Sequence, residues 1–193
     1  REMFSRYCET SFGREAFRRR FGFFPIMIQG MIHQNAPSHS TPHPSTTMGL
    51  LCDFFIAHRH EIDPALVASG PKPPTPTLQG KGIDNIKIAT LTCILLNVDL
   101  NDDNAVSARI PNPEFTAGDE GPWVFPVPPT VTQHLAALNP SARKTVLDRW
   151  AQTEECRLDH WVAADYTDWF NALCDLAATA VTSNSSLWVW LSL

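Results

Sequence analysis

The chain has 193 residues, of which 44% are hydrophobic, and a formal net charge of −5 at neutral pH. Residues 1–47 carry six arginines against three glutamates, so residues 48–193 carry nine basic against 17 acidic residues, a net charge of −8. An acidic body repels nucleic acid and anionic membrane surfaces at ordinary ionic strength. The composition therefore argues against both as partners and leaves basic or neutral protein partners possible.

The five cysteines are odd in number and form no C-x-x-C pair, which is typical of reduced thiols in a cytoplasmic protein. Cys156 and His160 have ligand-like spacing, but two side chains do not complete a zinc site. No apolar run approaches the roughly 20 residues that a membrane span needs. The sequence thus predicts a cytoplasmic protein without a metal site, a cofactor or a membrane segment.

Residues 1–47 are predicted to be a basic, low-order extension or a translated stretch upstream of the natural start. Residues 33–47 are polar and proline-rich without any helix or strand period. Met48 directly precedes an apolar run, so we predict that a single α+β domain spans residues 48–193. The alternative is an arm whose aromatic side chains pack on that domain.

The first elements follow from local signals. The apolar run 49–56 predicts a buried strand, and the pair Asp63-Pro64 predicts the start of a helix that stops before Gly70. The proline-rich stretch 71–82 predicts a loop. Asp84 is predicted to be the N-cap of an apolar, deeply buried second helix, with Ile83 and Ile88 placed as a hydrophobic staple.

The middle of the chain predicts strands near 106–110 and 123–127, and Pro126 should make the latter an edge strand or end its pairing early. Two helices follow, one from Pro129 to Leu138 and one from Pro140 to about Cys156. Residues that should share the buried side of the second of these helices occur at helical spacing: Ala142, Val146, Trp150 and Thr153.

The chain ends in a predicted helix from Asp165 to Thr182 and a predicted strand at 187–193. This strand is apolar on both faces, as is typical of strands inside a covered sheet. We expect it to pair with strand 49–56. Because helices and strands do not alternate regularly, the fold class is α+β, with a small, mainly antiparallel sheet packed by about four helices.

The stretch RWAQTEEC, residues 149–156, is the main candidate site. If one helix runs through it, Trp150, Thr153 and Glu154 share one side and Glu155 points about a quarter-turn away. In one interpretation Trp150 is core and the glutamates are solvated. In the other, Glu154 is partly buried against the C-terminal strand and is available to a ligand. Carboxylates at a helix C-terminus would meet the unfavourable end of its dipole.

Trp188 and Trp190 alternate along the last strand and should face the same side of the sheet, as core or as an exposed binding surface. The cluster His58-Arg59-His60-Glu61 has the residue types of a metal site but lacks a third ligand in reach, so solvated turn residues are the better interpretation. No catalytic motif is present, and we predict no catalytic residues.

Several short stretches resemble a group of small uncharacterised bacterial proteins: LLCDFFIA, GKGID, GPWVFPVP, W-x-x-T-E-E at Trp150–Glu155, and LWVWLSL. More distantly, the layout is similar to that of YfbM-like bacterial domains. The resemblance covers most of residues 48–193 and none of 1–47. It implies a bacterial cytosolic α+β protein and no known activity, so it assigns no site residues.

Two functional hypotheses remain open. The first is a non-catalytic protein-binding domain, immunity-like or regulatory, whose acidic surface engages a basic partner. The second is a small-molecule-binding domain or enzyme with a pocket lined by Trp150, Glu154 and Trp188. The candidate binding residues lie in two stretches of the chain: Trp150, Thr153, Glu154, Glu155, Trp188 and Trp190.

Overall fold

Two strands from opposite ends of the described chain form the centre of the sheet. The computed structural model describes residues 50–192. Strand β1 (Leu51–Ala57) pairs antiparallel with the C-terminal strand, Ser186–Ser192, from Leu51 opposite Ser192 to Ala57 opposite Ser186. Both strands are rich in aromatic and branched apolar side chains, which suit a pleated, buried surface. The α+β fold and the predicted pairing of the two ends are confirmed.

The sheet has five strands in the order β2-β1-β5-β4-β3, and every neighbouring pair is antiparallel. The other strands are β2 (Thr77–Lys81), β3 (Phe115–Thr116) and β4 (Trp123–Pro126), and β5 is the C-terminal strand. The prediction of a loop over 71–82 is wrong in its second half. Its prolines all precede Thr77, so they do not interrupt β2.

Strand β4 lies between β5 and the two-residue strand β3 and is therefore not an edge strand. Pro126 instead ends the pairing early: β3 reaches only to Val124, whereas β5 continues opposite Pro126. Proline has no N–H to donate, so the backbone hydrogen bonds between β4 and β3 do not continue past this position. This outcome is the second of the two alternatives that Pro126 predicted.

One face of the sheet packs against the long helices. Its inward side chains alternate along the strands, as in Cys52, Phe54 and Ile56 of β1, and join the main core cluster. Four longer helices that contribute to this cluster were expected from their caps or spacing. They are α2 (Asn85–Leu95), α4 (Pro129–Ala137), α5 (Pro140–Ala151) and α7 (Thr167–Thr182).

The opposite face is covered by the short helix α1 (Pro64–Ser69), whose N-cap Asp63 accepts from the amide of Leu66. Trp188 and Trp190 lie on this face with Phe55, in a second core cluster. The Trp190 indole donates to the carbonyl of Val67, so α1 is fixed to the sheet by a buried hydrogen bond. Central strands buried on both faces were expected from their composition, and the structure confirms it.

Seven α-helices lie within residues 50–192, more than the four or so expected. Three of them are short: α1, which was predicted from Asp63-Pro64, and two that were not predicted as separate helices, α3 (Asp103–Ser107) and α6 (Glu154–Leu158). The prediction of a strand at 106–110 is therefore wrong. Its alternating apolar pattern is overridden by Asp102, whose carboxylate accepts from the amides of Asn104 and Ala105 and starts α3.

None of the helices within residues 50–192 has the length and apolar content that crossing a membrane requires. The prediction of a basic, low-order extension falls on residues 1–47, which lie outside the described residues. The predicted start of the domain at Met48 also falls outside them.

Gly80 lets β2 approach its neighbours closely. A Cβ atom at this position would lie 2.8 Å from the carbonyl oxygen of Cys52 and 3.2 Å from a methyl carbon of Ile83. We expect Gly80→Ala to lower the free energy of unfolding by about 1–3 kcal/mol, because the strand must shift away from β1. Urea denaturation of the full chain measures this loss.

Gly118→Ala is the matched control, since the nearest atom to its added Cβ is 3.9 Å away. We expect its unfolding free energy to lie within about 0.5 kcal/mol of the parent value. Equal stability of the two variants would contradict the close packing of β2 on β1.

Candidate functional site

Trp150 lies at the end of α5 and is completely buried. Its indole donates to the backbone carbonyl of Lys87 on α2 at 2.9 Å, and its ring meets that of Trp161 edge to face, with centroids 5.0 Å apart. A side chain at this depth is core and offers no surface to a macromolecular partner. Trp150 therefore acts as the support of the site and not as a contact residue.

The helix predicted from Pro140 to about Cys156 is broken after Ala151. Thr153 is extended, and its hydroxyl donates to the carbonyl of Trp150 at 2.8 Å, which satisfies one of the last carbonyls of α5. Thr153 is itself buried and takes the N-cap position of the short helix α6. Local bonding by a threonine hydroxyl is a common competitor of helix continuation.

The break changes the position of the two glutamates. Glu154 is exposed and Glu155 is half-buried, and both lie in the first turn of α6 rather than the last turn of α5. Carboxylates are stabilised near a helix N-terminus, so the expected conflict with the helix dipole does not arise. The expectation that Trp150, Thr153 and Glu154 share one side of a continuous helix is wrong, because the helix is not continuous.

Beneath α6 lies a buried amine that the sequence analysis did not single out. The Lys87 side chain is only 2% exposed, and its Nζ lies 2.5 Å from a carboxylate oxygen of Asp159 and 3.4 Å from one of Asp84. Burial alone lowers the pKa of Lys87, but the charges of Asp84 and Asp159 and the hydrogen bond to Asp159 outweigh it, so the pKa is raised. A raised pKa keeps this amine protonated, which suits a structural cation and not a nucleophile.

An aromatic layer continues from Lys87 towards the surface. Nζ of Lys87 lies 5.7 Å from the ring centroid of Trp161, and Trp161 stacks on Tyr166 with centroids 3.8 Å apart. His160 has a φ of 57°, and the following amide, that of Trp161, returns to the carbonyl of Cys156 at 2.9 Å. These contacts fix the chain between α6 and α7 on top of α2.

Cys156 lies in the same layer and is fully buried. Burial raises its pKa to about 11, although a hydrogen bond with Thr153 and the charge of Lys87 act in the opposite direction. Cys174 also has a pKa raised to about 11, again mainly by burial. Thiols with such values are protonated at neutral pH and do not provide the thiolate that a cysteine nucleophile needs.

An open groove of about 370 Å³ adjoins the helix break. It is lined by residues at the end of α5 and by one residue before α3: Leu100, Asp148, Arg149, Gln152 and Thr153. None of the three residues expected to line a pocket (Trp150, Glu154 and Trp188) belongs to it. Of the other candidate binding residues, Thr153 alone lines the groove.

Trp188 and Trp190 are 2% and 7% exposed and lie on the sheet face that α1 covers. Their indoles donate to the carbonyls of Ala57 and Val67, respectively. Trp150 belongs to the core cluster on the other face. The structure therefore does not bring Trp150, Glu154 and Trp188 together, and the predicted pocket between them is not formed.

The histidine cluster after β1 forms an exposed 3-10 turn, Arg59–Glu61. His58 and His60 stack with centroids 5.5 Å apart, and Arg59 pairs with Glu114 beside Phe115. Within the part of the chain that the structure describes, no group of three or more His, Cys, Asp or Glu side chains is arranged to hold a metal ion. The interpretation of these histidines as turn residues agrees with this geometry.

The sequence contains a signal that identifies Lys87 as a buried, paired cation. Lys87 is the one charged residue of α2, a helix in which every residue is buried. A lone lysine in such a helix requires a carboxylate partner. The partner, Asp159, is 72 positions away, so its identity does not follow from the sequence pattern.

Comparison with known proteins finds no match to a protein-family model, to a curated protein or to a solved structure. The resemblance to small bacterial proteins with a W-x-x-T-E-E motif stays a prediction.

Lys87→Met tests the contribution of the buried ion pairs to stability. We expect a loss of about 1–2 kcal/mol at pH 7, because Asp84 and Asp159 lose their buried partner while water still reaches both carboxylates. Since the pKa of Lys87 is raised on folding, this contribution is complete below the ordinary lysine value of 10.5 and is lost as the pH rises above the folded value. Urea denaturation of the parent and of Lys87→Met, repeated at a series of pH values from 6 to above the ordinary lysine value, measures this contribution.

Lys144→Met is the matched control. Lys144 also pairs with an aspartate, Asp148 at 2.6 Å, but its side chain is 77% exposed. An exposed pair of this kind contributes less than about 0.5 kcal/mol. Equal losses for the two variants would contradict the role assigned to the burial of Lys87.

Proposed function

We propose that this protein is a non-catalytic protein-binding module, immunity-like or regulatory, that engages a basic partner through an acidic segment. The acidic segment comprises residues 154–168, from the start of α6 to the start of α7. It carries five carboxylates against a single arginine, Arg157. The carboxylates occur along its whole length: Glu154, Glu155, Asp159, Asp165 and Asp168.

The observation that carries the proposal is the exposure of these carboxylates on a backbone that is fixed from below. Glu154, Asp159, Asp165 and Asp168 are all exposed. The segment is held on α2 by Lys87 and on α5 by the contact of Trp161 with Trp150. A charged surface that is already ordered loses little conformational entropy when a partner binds.

The rest of the domain supports a basic protein partner. Residues 48–193 carry a net charge of −8, which accelerates encounters with positively charged surfaces and disfavours nucleic acid and anionic membranes. The four cysteines in the described residues are free thiols, which is consistent with the bacterial cytoplasm that we propose as the protein's location.

A second candidate function, binding of a small molecule or an enzymatic activity, is supported by the groove beside Thr153. Its volume of about 370 Å³ lies within the range of ligand sites. The groove is open, however, and an open site buries less of a small ligand than a closed one. Protein binding is therefore the better-supported function.

Charge reversal in the acidic segment tests the proposal. In a pull-down from host lysate with the full chain, the parent should capture a basic protein, and raising the salt concentration should weaken the capture. The variant Glu154→Lys, Asp168→Lys should bind this protein about tenfold more weakly, because contact charges are reversed. Titration against the captured protein, identified by mass spectrometry, gives the dissociation constants.

The control is Asp119→Lys, Glu120→Lys, which makes the same change in net charge at two exposed positions of the β3–β4 hairpin. This control variant should retain most of the affinity if the acidic segment is the contact surface. Equal weakening of both variants would show a general effect of net charge and would contradict the assigned location.

A further inference from the structure

Two exposed apolar side chains interrupt the acidic segment. Four large hydrophobic residues are exposed within residues 50–192: Leu51, Leu158, Val162 and Val181. Leu158 is 46% exposed and Val162 is 55% exposed, and they lie four positions apart on either side of the turn at His160. Single exposed apolar residues are ordinary, and here two of them occur in the stretch of chain that also carries the exposed carboxylates, a composition that suits a contact surface of mixed character.

The turn between them is rigidly supported. Trp161 is partly buried, stacks on Tyr166 and contacts Trp150 edge to face. The amide of Trp161 is bound to the carbonyl of Cys156, and the preceding Asp159 is bound to Lys87. We define residues 158–166 as the apolar platform. Because its backbone and aromatic layer are already fixed, few additional groups lose conformational freedom when a partner binds to it.

The charges around the platform select its occupant. Carboxylates lie on both sides of it, with Glu154 and Glu155 before it and Asp165 and Asp168 at its end. A second copy of this chain that docks through the same face would bring like charges into contact, which disfavours that arrangement. Anionic lipid and nucleic acid are repelled for the same reason. The charges therefore favour a cationic segment with apolar side chains as the occupant.

We propose that the apolar platform binds a short peptide segment of a partner protein in which lysines or arginines flank apolar side chains. The apolar side chains cover Leu158 and Val162, and the cationic side chains pair with the surrounding carboxylates. This inference rests on the proposed function and adds the chemistry of the partner. It also moves the contact centre downstream from RWAQTEEC, whose tryptophan is completely buried.

The test uses two synthetic peptides of equal length and charge, one of leucine and lysine and one of serine and lysine. Each is labelled and titrated with the full chain by fluorescence anisotropy. The platform variant is Leu158→Ser, Val162→Ser, which removes apolar surface and leaves every charge in place. The matched control is Val181→Ser, because Val181 on α7 is also 46% exposed but lies outside the segment.

The parent should bind the leucine–lysine peptide, and the platform variant should bind it at least about tenfold more weakly, as the loss of two partly buried apolar contacts predicts. The Val181→Ser variant should bind like the parent. The serine–lysine peptide should not distinguish the three proteins. Circular dichroism of each variant checks its folding, which these exposed positions should leave unchanged.

Equal binding of the leucine–lysine peptide by the parent and the platform variant would overturn the inference, and so would absence of binding to the parent. The variant Glu154→Lys, Asp168→Lys separates this failure from that of the proposed function. Suppose that charge reversal weakens binding of the natural partner and that the substitution of Leu158 and Val162 does not. The acidic segment is then supported as the contact surface, and the role of the apolar platform is contradicted.

Discussion

The ammonium group of Lys87 is the constraint on which the candidate site depends. Burial of an isolated amine is costly, and here Asp84 and Asp159 offset that cost from two different parts of the chain. Asp84 also caps α2, whereas Asp159 belongs to the acidic segment. One cation therefore connects the start of the most buried helix with the surface. The indole of Trp150 adds a second connection, through the backbone carbonyl of the same lysine.

Three tryptophans that the sequence offered as candidate binding residues lie in the core. Trp150, Trp188 and Trp190 are buried, and each indole N–H donates to a backbone carbonyl of a neighbouring element. Buried tryptophans of this kind join elements of the core. The thiols of Cys156 and Cys174 are protonated, and Lys87 is held as a cation. The exposed residues of the acidic segment include four carboxylates together with Leu158 and Val162.

Much of the fold follows from local signals, as the caps Asp63 and Asp84 show. The pairing of β1 with β5 is long-range and was predicted from the apolar composition of the two strands. The errors arise where a longer-range or competing interaction decides. The hydroxyl of Thr153 ends a helix that its apolar spacing would have continued. Strand β2 forms because β1 offers it a partner, and Asp159 meets Lys87 across 72 positions. The buried cation beneath the candidate site was not predicted, because its carboxylate partner is distant in the sequence.

Local hydrogen exchange in Lys87→Met tests most directly the claim that this lysine fixes the acidic segment on the core. The informative amides are those of Arg157 and Trp161, which are bound to the carbonyls of Thr153 and Cys156. Our account predicts that their protection falls at least about tenfold more than that of the amides in β1 and β5, since the segment opens while the sheet stays folded. If protection falls equally throughout the domain, or does not change in the segment, Lys87 does not hold this surface in place.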